Sequence, residues 1–160
     1  MLKRLQENNL HINLQKCKLF KSAIEYLGYI IQGRKVFKGP RKTSAILDTK
    51  RPQNHKELKQ FLGLVTYYSR FIPNTSTLTA PPLQLLTKNH PFKWSCECET
   101  AFLELKAQIA SDKSLVSCDV NLPVSVVCDA SPWGLGAVLS HIIDGVEEPI
   151  MFVSRSLSPT

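Results

Sequence analysis

The sequence predicts an α+β fold in which a small antiparallel β unit comes first, helices follow, and a second antiparallel sheet ends the chain. Three observations support this order: apolar runs with turn residues before position 39, apolar residues at helical spacing between positions 54 and 72, and strand patterns beyond Asp119. With 160 residues and 43% hydrophobic content, the chain is long enough to bury a core.

The N-terminal β unit is preceded by a short helical pattern. Residues 2–8 start in mid-pattern without a cap, which suggests that residues normally preceding them are missing. Residues 10–14 alternate between apolar and polar side chains, as in a half-buried strand, and the almost wholly apolar residues 25–32 predict a second strand. Gly33-Arg34-Lys35 then predicts a turn into a strand at Val36-Phe37.

The clearest helix is predicted to begin at Asn54. Asn54 and Glu57 have the spacing of a capping box, in which each side chain satisfies a free amide at the helix start. Apolar residues at three-and-four spacing follow, and Pro73-Asn74 is the predicted end. Pro40 favours a shorter helix before it, and another short helix is predicted from Leu83 to Leu86.

The last part of the chain is predicted to contain one helix and three strands. Ser95 is a suitable N-cap for a helix over residues 96–111, whose apolar stripe is typical of core packing and not of a cofactor site. Strands are predicted over 124–129, 136–143 and 149–154.

The charge is distributed unevenly. Residues 1–60 carry 14 Lys and Arg against 4 Asp and Glu, a net charge of +10, while residues 61–160 carry 6 against 9, a net charge of −3. This asymmetry indicates a polyanionic partner for the N-terminal half, although a solvated basic surface explains the charge alone equally well.

The cysteines indicate an intracellular protein. Five cysteines have no framework spacing, and the apolar surroundings of Cys17 and Cys128 predict reduced, buried thiols. The one-residue spacer of Cys96-Glu97-Cys98 lies outside the usual zinc spacings. No apolar run is long enough to cross a bilayer, so we expect a soluble protein without a membrane partner.

Four motifs in order resemble a known family. They are Tyr26-Leu27-Gly28-Tyr29, the segment from Phe61 to Pro73, Phe92-Lys93-Trp94 and Cys128-Asp129-Ala130-Ser131. Their order resembles the polymerase-to-RNase H region of gypsy-type LTR retrotransposon Pol polyproteins. The resemblance implies four regions: the end of a reverse transcriptase palm with a primer-grip-like hairpin (1–39), a helical thumb (40–88), a connecting linker and helix (89–118), and the first three strands of an RNase H-like domain (119–160).

The resemblance also implies a grip on a template-primer duplex or an RNA–DNA hybrid. The hairpin would position the primer terminus, one face of the thumb helix would lie against the minor groove, and basic residues nearby would contact phosphates. For each single residue, a buried strand with a glycine bulge or a solvated helix surface remains an equally good explanation. The implied nucleic-acid-binding residues are Tyr26, Leu27, Gly28, Tyr29, Arg41, Lys42, Lys59, Gln60, Gly63 and Tyr67.

Asp129 is the single candidate for a catalytic residue and metal ligand. In ribonuclease H folds, an aspartate at this point of the first strand bridges two divalent ions, and the parent enzyme uses Mg²⁺; the alternative is an Asp that caps the strand end through its own backbone. Two cations need several shared carboxylates. The chain stops at Thr160, before the family's further ligands, and contains no Asp-Asp pair for the polymerase site.

We therefore expect a fragment of a reverse transcriptase and RNase H that is inactive alone and binds no Mg²⁺ stably. The parent activities would be RNA-directed DNA polymerisation, a nucleotidyltransferase reaction, and endonucleolytic hydrolysis of the RNA in a hybrid. The alternative is a non-catalytic nucleic-acid-binding module derived from a retroelement, and the rest of a Pol polyprotein is a candidate partner. We also expect an unpaired sheet edge and an uncovered apolar face at Val138, Leu139, Ile150 and Phe152.

Overall fold

The computed structural model describes residues 2–87, 91–132 and 134–157. His90 and Trp133, each of which lies near one of the sequence motifs, fall outside these residues. The described parts combine α-helices with antiparallel strands and confirm the predicted α+β fold class. In chain order the elements are α1 (Leu2–Glu7), β1 (Ala23–Tyr26), β2 (Tyr29–Gln32), β3 (Lys35–Lys38), α2 (Pro40–Leu47), α3 (His55–Tyr67), α4 (Thr75–Gln84), α5 (Cys96–Ala110), β4 (Leu115–Val116), β5 (Val124–Ser131), β6 (Gly134–Ile143) and β7 (Val146–Ser156).

The first sheet has the strand order β1-β2-β3-β4, and all its pairs are antiparallel. The prediction of one strand over residues 25–32 is wrong, because a tight turn at Leu27-Gly28 divides this segment into the hairpin β1-β2. Both turn residues have positive φ, 49° at Leu27 and 76° at Gly28. Apolar composition alone does not reveal such a turn, which Gly28 makes possible.

The strand predicted over residues 10–14 is also wrong. Leu14–Lys16 forms a 3-10 helix, which Asn13 caps by accepting a hydrogen bond from the amide of Gln15 at 3.1 Å. Leu10 is 59% exposed, and no described strand pairs with this segment. The alternating pattern therefore has nothing to pack against within the described part of the chain.

Helix α3 begins as predicted. The side chain of Asn54 accepts a hydrogen bond from the amide of Glu57 at 2.9 Å, and the Glu57 carboxylate accepts one from the amide of Gln53 at 2.7 Å. The helix ends at Tyr67, earlier than predicted, and a 3-10 turn over Ser69–Phe71 carries the chain onward.

Helix α4 was not predicted correctly. It starts at Thr75, directly after Asn74 in the left-handed conformation, and it includes Pro81 and Pro82. The two prolines lie in its last turn, since the helix ends at Gln84. The short helix predicted from Leu83 to Leu86 is therefore wrong, because the helix forms upstream and Leu83 lies near its end.

The hydrophobic core lies between helices α2 to α5 and strand β4. Phe61 of α3 and Phe102 of α5 meet with ring centroids 4.7 Å apart, and Ser95 caps α5 as predicted by accepting a hydrogen bond from the amide of Cys98. Because α5 supplies a large share of this core, residues 40–88 do not enclose it by themselves. The largest fully buried side chains are Tyr68, Phe61, Phe71, Ile46, Leu58, Ile72, Leu105, Ile109 and Leu115.

The second sheet has the antiparallel order β5-β6-β7, as predicted. One face packs on the helices, so the expectation of an uncovered apolar face is wrong: Ile150 is 4% exposed, Phe152 packs against the core, and Val138 and Leu139 are half-buried. Strand β5 lies at the edge of the described sheet, and most of its residues are exposed.

This outer position of β5 also corrects the prediction about cysteines. All five thiols are free, but Cys128 is exposed and Cys17 is half-buried, whereas Cys98 in α5 is buried. Apolar neighbours in the sequence indicated burial of Cys128, yet no described element covers its side of β5. Within the described residues, none of the helices has both the length and the apolar character needed to cross a bilayer.

Candidate nucleic-acid interface

The hairpin β1-β2 is fixed to the helices through the carbonyl of Gly28. This oxygen accepts hydrogen bonds from the amide of Gly39 at 2.8 Å and from the hydroxyl of Tyr68 at 2.9 Å. Gly39 immediately precedes α2, and a Cβ atom there would overlap the Gly28 carbonyl and lie 2.7 Å from its carbon. Two backbone segments thus meet so closely that only glycine fits at position 39.

Aromatic side chains from two sequence motifs pack together beside this contact. Tyr29 of β2 stacks on Tyr67 of α3 with ring centroids 5.2 Å apart, and its hydroxyl donates to the Tyr67 carbonyl at 2.9 Å. The Tyr67 hydroxyl donates in turn to the Leu27 carbonyl. Residues 38 to 40 positions apart in the sequence are therefore held as one unit, which we call the hairpin–thumb junction: Leu27, Gly28, Tyr29, Gly39, Tyr67 and Tyr68.

The junction combines neutral phenols with a positive charge. Burial raises the pKa of Tyr29 to about 12, the neighbouring Tyr67 adds to this effect, and the charge of Arg70 opposes it. Burial also raises the pKa of Tyr68. The ammonium of Lys42 lies 3.7 Å from the centroid of the Tyr67 ring, a cation–π contact that orients this lysine at the surface.

The tip of the hairpin points away from the core. Leu27 is 67% exposed and Tyr26 is also exposed, as is Arg41 in the first turn of α2. Gly28 has a φ of 76°, which L side chains rarely adopt, so the turn itself favours glycine here, whereas the flexible Lys42 side chain beside it could move aside. The predicted role of Gly28 in admitting a sugar-phosphate backbone stays a prediction.

Helix α3 presents an exposed face next to the junction. Lys59, Gln60 and Gly63 are exposed on it, and Tyr67 lies half-buried at its end. A Cβ at Gly63 would meet no other atom within 4 Å. The structure therefore places the predicted thumb residues on one open surface, with the side chains of Tyr29, Lys42 and Tyr67 at one end of it.

Asp129 lies inside β5, opposite Gly136 of β6, and not at the strand end as predicted. Its carboxylate is exposed and accepts a hydrogen bond from the amide of Ala130 at 2.9 Å. In the described part of the chain, no group of three or more His, Cys, Asp and Glu side chains is positioned to hold a metal ion. A pair of magnesium ions needs several shared carboxylates, so the described residues do not fit this cofactor.

His141 of β6 connects the second sheet to the segment leading into it. The ring is fully buried, with Nε2 accepting from the amide of Asp119 at 3.0 Å and Nδ1 lying 2.9 Å from the Pro123 carbonyl. These contacts assign the proton to Nδ1, which donates to Pro123. Hydrogen bonds from Asn121 and the charge of Arg34 hold the pKa of Asp119 below its usual value.

Sequence reasoning missed Gly39, Tyr68 and Arg70. Tyr68 occupies a position of the apolar stripe of α3, which predicts burial but not the hydrogen bond to a hairpin forty residues away. Gly39 precedes a proline and resembles an ordinary helix start. Of these three residues, only Arg70 had a feature in the sequence that could have indicated a function. An arginine at the end of a stripe of apolar and aromatic residues is unusual.

Comparisons with known proteins agree with this architecture. Residues 94–160 match the family described as the RNase H-like domain found in reverse transcriptase, and this match includes α5. The chain is 36% identical to the retrovirus-related Pol polyprotein from transposon opus of Drosophila melanogaster, covering 100% of this chain and 17% of that protein. It is 35% identical to the transposon Tf2-3 polyprotein of Schizosaccharomyces pombe, covering 99% of this chain and 12% of that protein.

Solved structures show the same fold. The foamy viral protease-reverse transcriptase in complex with double-stranded DNA matches with a TM-score of 0.80 and 24% identity, over 98% of this chain and 28% of that one. The foamy viral protease-reverse transcriptase in complex with an RNA/DNA hybrid matches with a TM-score of 0.73 and 24% identity, over 91% of this chain and 20% of that one. The chain thus spans less than a third of each of these four proteins.

Proposed function

We propose that this chain is the segment of a gypsy-type reverse transcriptase that binds a nucleic-acid duplex. Residues 94–160 belong to the RNase H-like domains found in reverse transcriptases. The whole chain is homologous to a segment of retrotransposon Pol polyproteins. Its partner is a template-primer duplex or an RNA–DNA hybrid. The activities it serves in the complete polyprotein are RNA-directed DNA polymerisation and hydrolysis of the RNA in a hybrid.

Gly63 is the observation that carries this proposal. Glycine inside a helix costs about 0.5 to 1 kcal/mol relative to alanine. At the other glycines a close contact or a positive φ explains the residue, but at Gly63 the space is open and the residue lies in the middle of α3. A molecule that approaches the helix from outside explains why a side chain is absent there.

The surroundings of Gly63 suit a nucleic acid. Lys59 and Gln60 lie beside it on the exposed face, and the hairpin–thumb junction with Lys42 lies at the end of the same helix. Residues 1–60 carry the net charge of +10, which favours a polyanion. A shallow helix face with few hydrogen-bond donors recognises the shape and the backbone of a duplex. It does not recognise the base sequence.

The remainder of the Pol polyprotein is the second partner we propose. The outer strand β5 exposes Val124, Val126 and Val127 together with its free edge. Such an edge is normally paired or covered in native proteins. The free cysteines and the similarity to retrotransposon polyproteins also support an intracellular site of action.

Replacement of Gly63 by alanine or leucine separates folding from binding. We expect Gly63→Ala to raise the free energy of unfolding by about 0.5 to 1 kcal/mol, because the added methyl group meets no atom and restricts the unfolded chain. We expect Gly63→Leu to weaken duplex binding about tenfold, or 1.4 kcal/mol, because the side chain would occupy the space of the duplex. Urea unfolding followed by tryptophan fluorescence measures the first effect, and fluorescence anisotropy with a labelled duplex measures the second.

Leu103→Phe is the matched control for this experiment. Leu103 is an exposed residue of α5, so enlarging it changes the surface of a different helix. Its duplex affinity should equal that of the unmodified chain. Equal affinity of the Gly63→Leu variant and this control would contradict the proposed position of the duplex.

From the positions of the carboxylates in the described residues, we expect that the chain does not catalyse phosphoryl transfer by itself. Primer extension and cleavage of a labelled RNA–DNA hybrid should both give no signal with Mg²⁺ or Mn²⁺, because Asp129 alone cannot hold the two cations. The Asp129→Asn variant is the control, and it should behave identically. Activity in the unmodified chain that this substitution abolishes would show that further ligands complete the site.

A further inference from the structure

A groove of about 370 Å³ lies between the end of the thumb helix and the second sheet. Helix α3 and the 3-10 turn form one wall, α4 forms the floor, and β7 forms the other wall. Thirteen residues line it, and none of them is Asp or Glu. Its polar lining includes Ser69, Arg70, Ser76 and Ser154.

The walls of the groove are held at a fixed separation. The amide of Ser76 in α4 donates to the hydroxyl of Ser154 in β7 at 2.9 Å. Gly134 of β6 packs so closely on α4 that a Cβ there would lie 2.7 Å from the Ser76 hydroxyl. The groove is therefore formed before any ligand enters, which lowers the ordering cost of binding.

Some of the hydroxyls in the groove remain free to donate. Thr66 and Thr79 donate to backbone carbonyls of their own helices, and Thr75 donates to the carbonyl of Ile72 in the segment before α4. Among the described contacts, the hydroxyls of Ser69 and Ser76 make no hydrogen bond and Arg70 makes no ion pair. Ser76 is only 8% exposed and lines the groove, and its unpaired hydroxyl lies next to Gly134 of β6.

These donors suit a phosphate group. A guanidinium offers paired N–H donors that match two oxygens of a phosphate, and neutral hydroxyls complete such sites. The lack of carboxylates in the lining removes the repulsion that an anion would meet.

The position of the groove selects nucleic acid as the source of the phosphate. Lys59, Gly63, Thr66 and Arg70 follow one another at intervals of four, three and four residues, so they form one stripe along α3 into the 3-10 turn. The charge of Arg70 also reaches Tyr29 in the hairpin–thumb junction. A duplex that lies along this stripe brings its backbone to the mouth of the groove.

We propose that Arg70 and Ser76 bind a backbone phosphate of the duplex in this groove, between the thumb and the RNase H-like sheet. The proposal rests on the proposed function. It adds a contact with the duplex beyond the C-terminal end of the exposed face of α3. Arg70 supplies the charge, and Ser76 supplies a neutral donor from the second element. The contact is independent of base sequence.

The experiment measures binding of the full chain to a short labelled DNA duplex by fluorescence anisotropy over a range of KCl concentrations. Arg70→Gln should weaken binding about tenfold at low salt, and the slope of log K against log[KCl] should lose about 0.9. Ser76→Ala should weaken binding with an unchanged slope, because a neutral donor is removed. Arg70→Lys should restore the slope but not the whole affinity.

Arg155→Gln is the matched control. Arg155 is an exposed residue of β7 next to Ser154, but alternate residues of a strand point to opposite faces, so it lies on the side away from the groove. Its slope and affinity should stay those of the unmodified chain. If Arg70→Gln had the same affinity and salt slope as this control, the phosphate site would be overturned. If the unmodified chain bound no duplex, the proposed function itself would be overturned. Urea midpoints of all four variants should match, since Arg70 is exposed and Ser76→Ala removes one oxygen.

Discussion

Replacement of Gly39 by alanine is expected to lower the free energy of unfolding by about 3 kcal/mol or more. The added Cβ would overlap the carbonyl of Gly28, which is backbone and cannot rotate away. Relief requires the hairpin turn to move, and this movement breaks the hydrogen bonds that the Gly28 carbonyl accepts from Gly39 and Tyr68. Each of these bonds contributes about 1 kcal/mol. The midpoint of urea unfolding, followed by tryptophan fluorescence, measures the loss.

The Gly63→Ala variant is the matched control, because it makes the same chemical change where the added methyl group meets nothing. The two variants should shift the midpoint in opposite directions. If the midpoint of Gly39→Ala did not fall, the close approach of the two backbone segments would be disproved.

Replacement of Tyr68 by alanine is expected to cost about 3 to 5 kcal/mol. The side chain is fully buried and packs against Tyr29, Tyr67 and Phe71 with ring centroids 5.0 to 6.1 Å away. Its removal leaves a cavity between the hairpin and α3 and deprives the Gly28 carbonyl of one donor.

The Tyr68→Phe variant divides this loss into packing and hydrogen bonding. It keeps the ring and removes only the hydroxyl, so we expect a loss of about 1 kcal/mol. Urea unfolding of both variants provides the comparison. A loss for Tyr68→Phe as large as that for Tyr68→Ala would show that the hydrogen bond, and not the packed ring, stabilises the junction.

Local signals in the sequence were sufficient for several elements. The cap at Asn54 and the apolar spacing of α3 are properties of consecutive residues, and the structure confirms the start of this helix. Ser95 and α5 follow the same logic. A capping side chain and an apolar face act within one or two turns, so no knowledge of distant residues is needed to recognise them.

Other elements depend on distant contacts that no local pattern contains. Alternation over residues 10–14 predicts a strand only where a partner strand exists, and the described chain supplies none. Pro81 and Pro82 are normally incompatible with a helix interior, but here the helix forms upstream and ends shortly after them. Cys128 has apolar neighbours in sequence and lies on the uncovered side of β5.

The candidate site shows the same division. Sequence motifs selected Tyr29 and Tyr67 separately, but their stacking depends on the folding of the hairpin onto α3. The position of Lys42 over the Tyr67 ring has no local signal. Gly63 is the exception, because an open glycine within a regular helix is visible in sequence and its lack of contacts is visible in the structure.

The close seating of the second sheet on α4 has a mechanical consequence. Gly134 and Gly136 bring β6 into contact with Ser76 and Asn74, and β7 is hydrogen-bonded to the same helix. A rotation of α4 is therefore expected to displace β6 and β7 with it. Because β5 pairs with β6, the distance between α4 and Asp129 of β5 would change little during such a rotation.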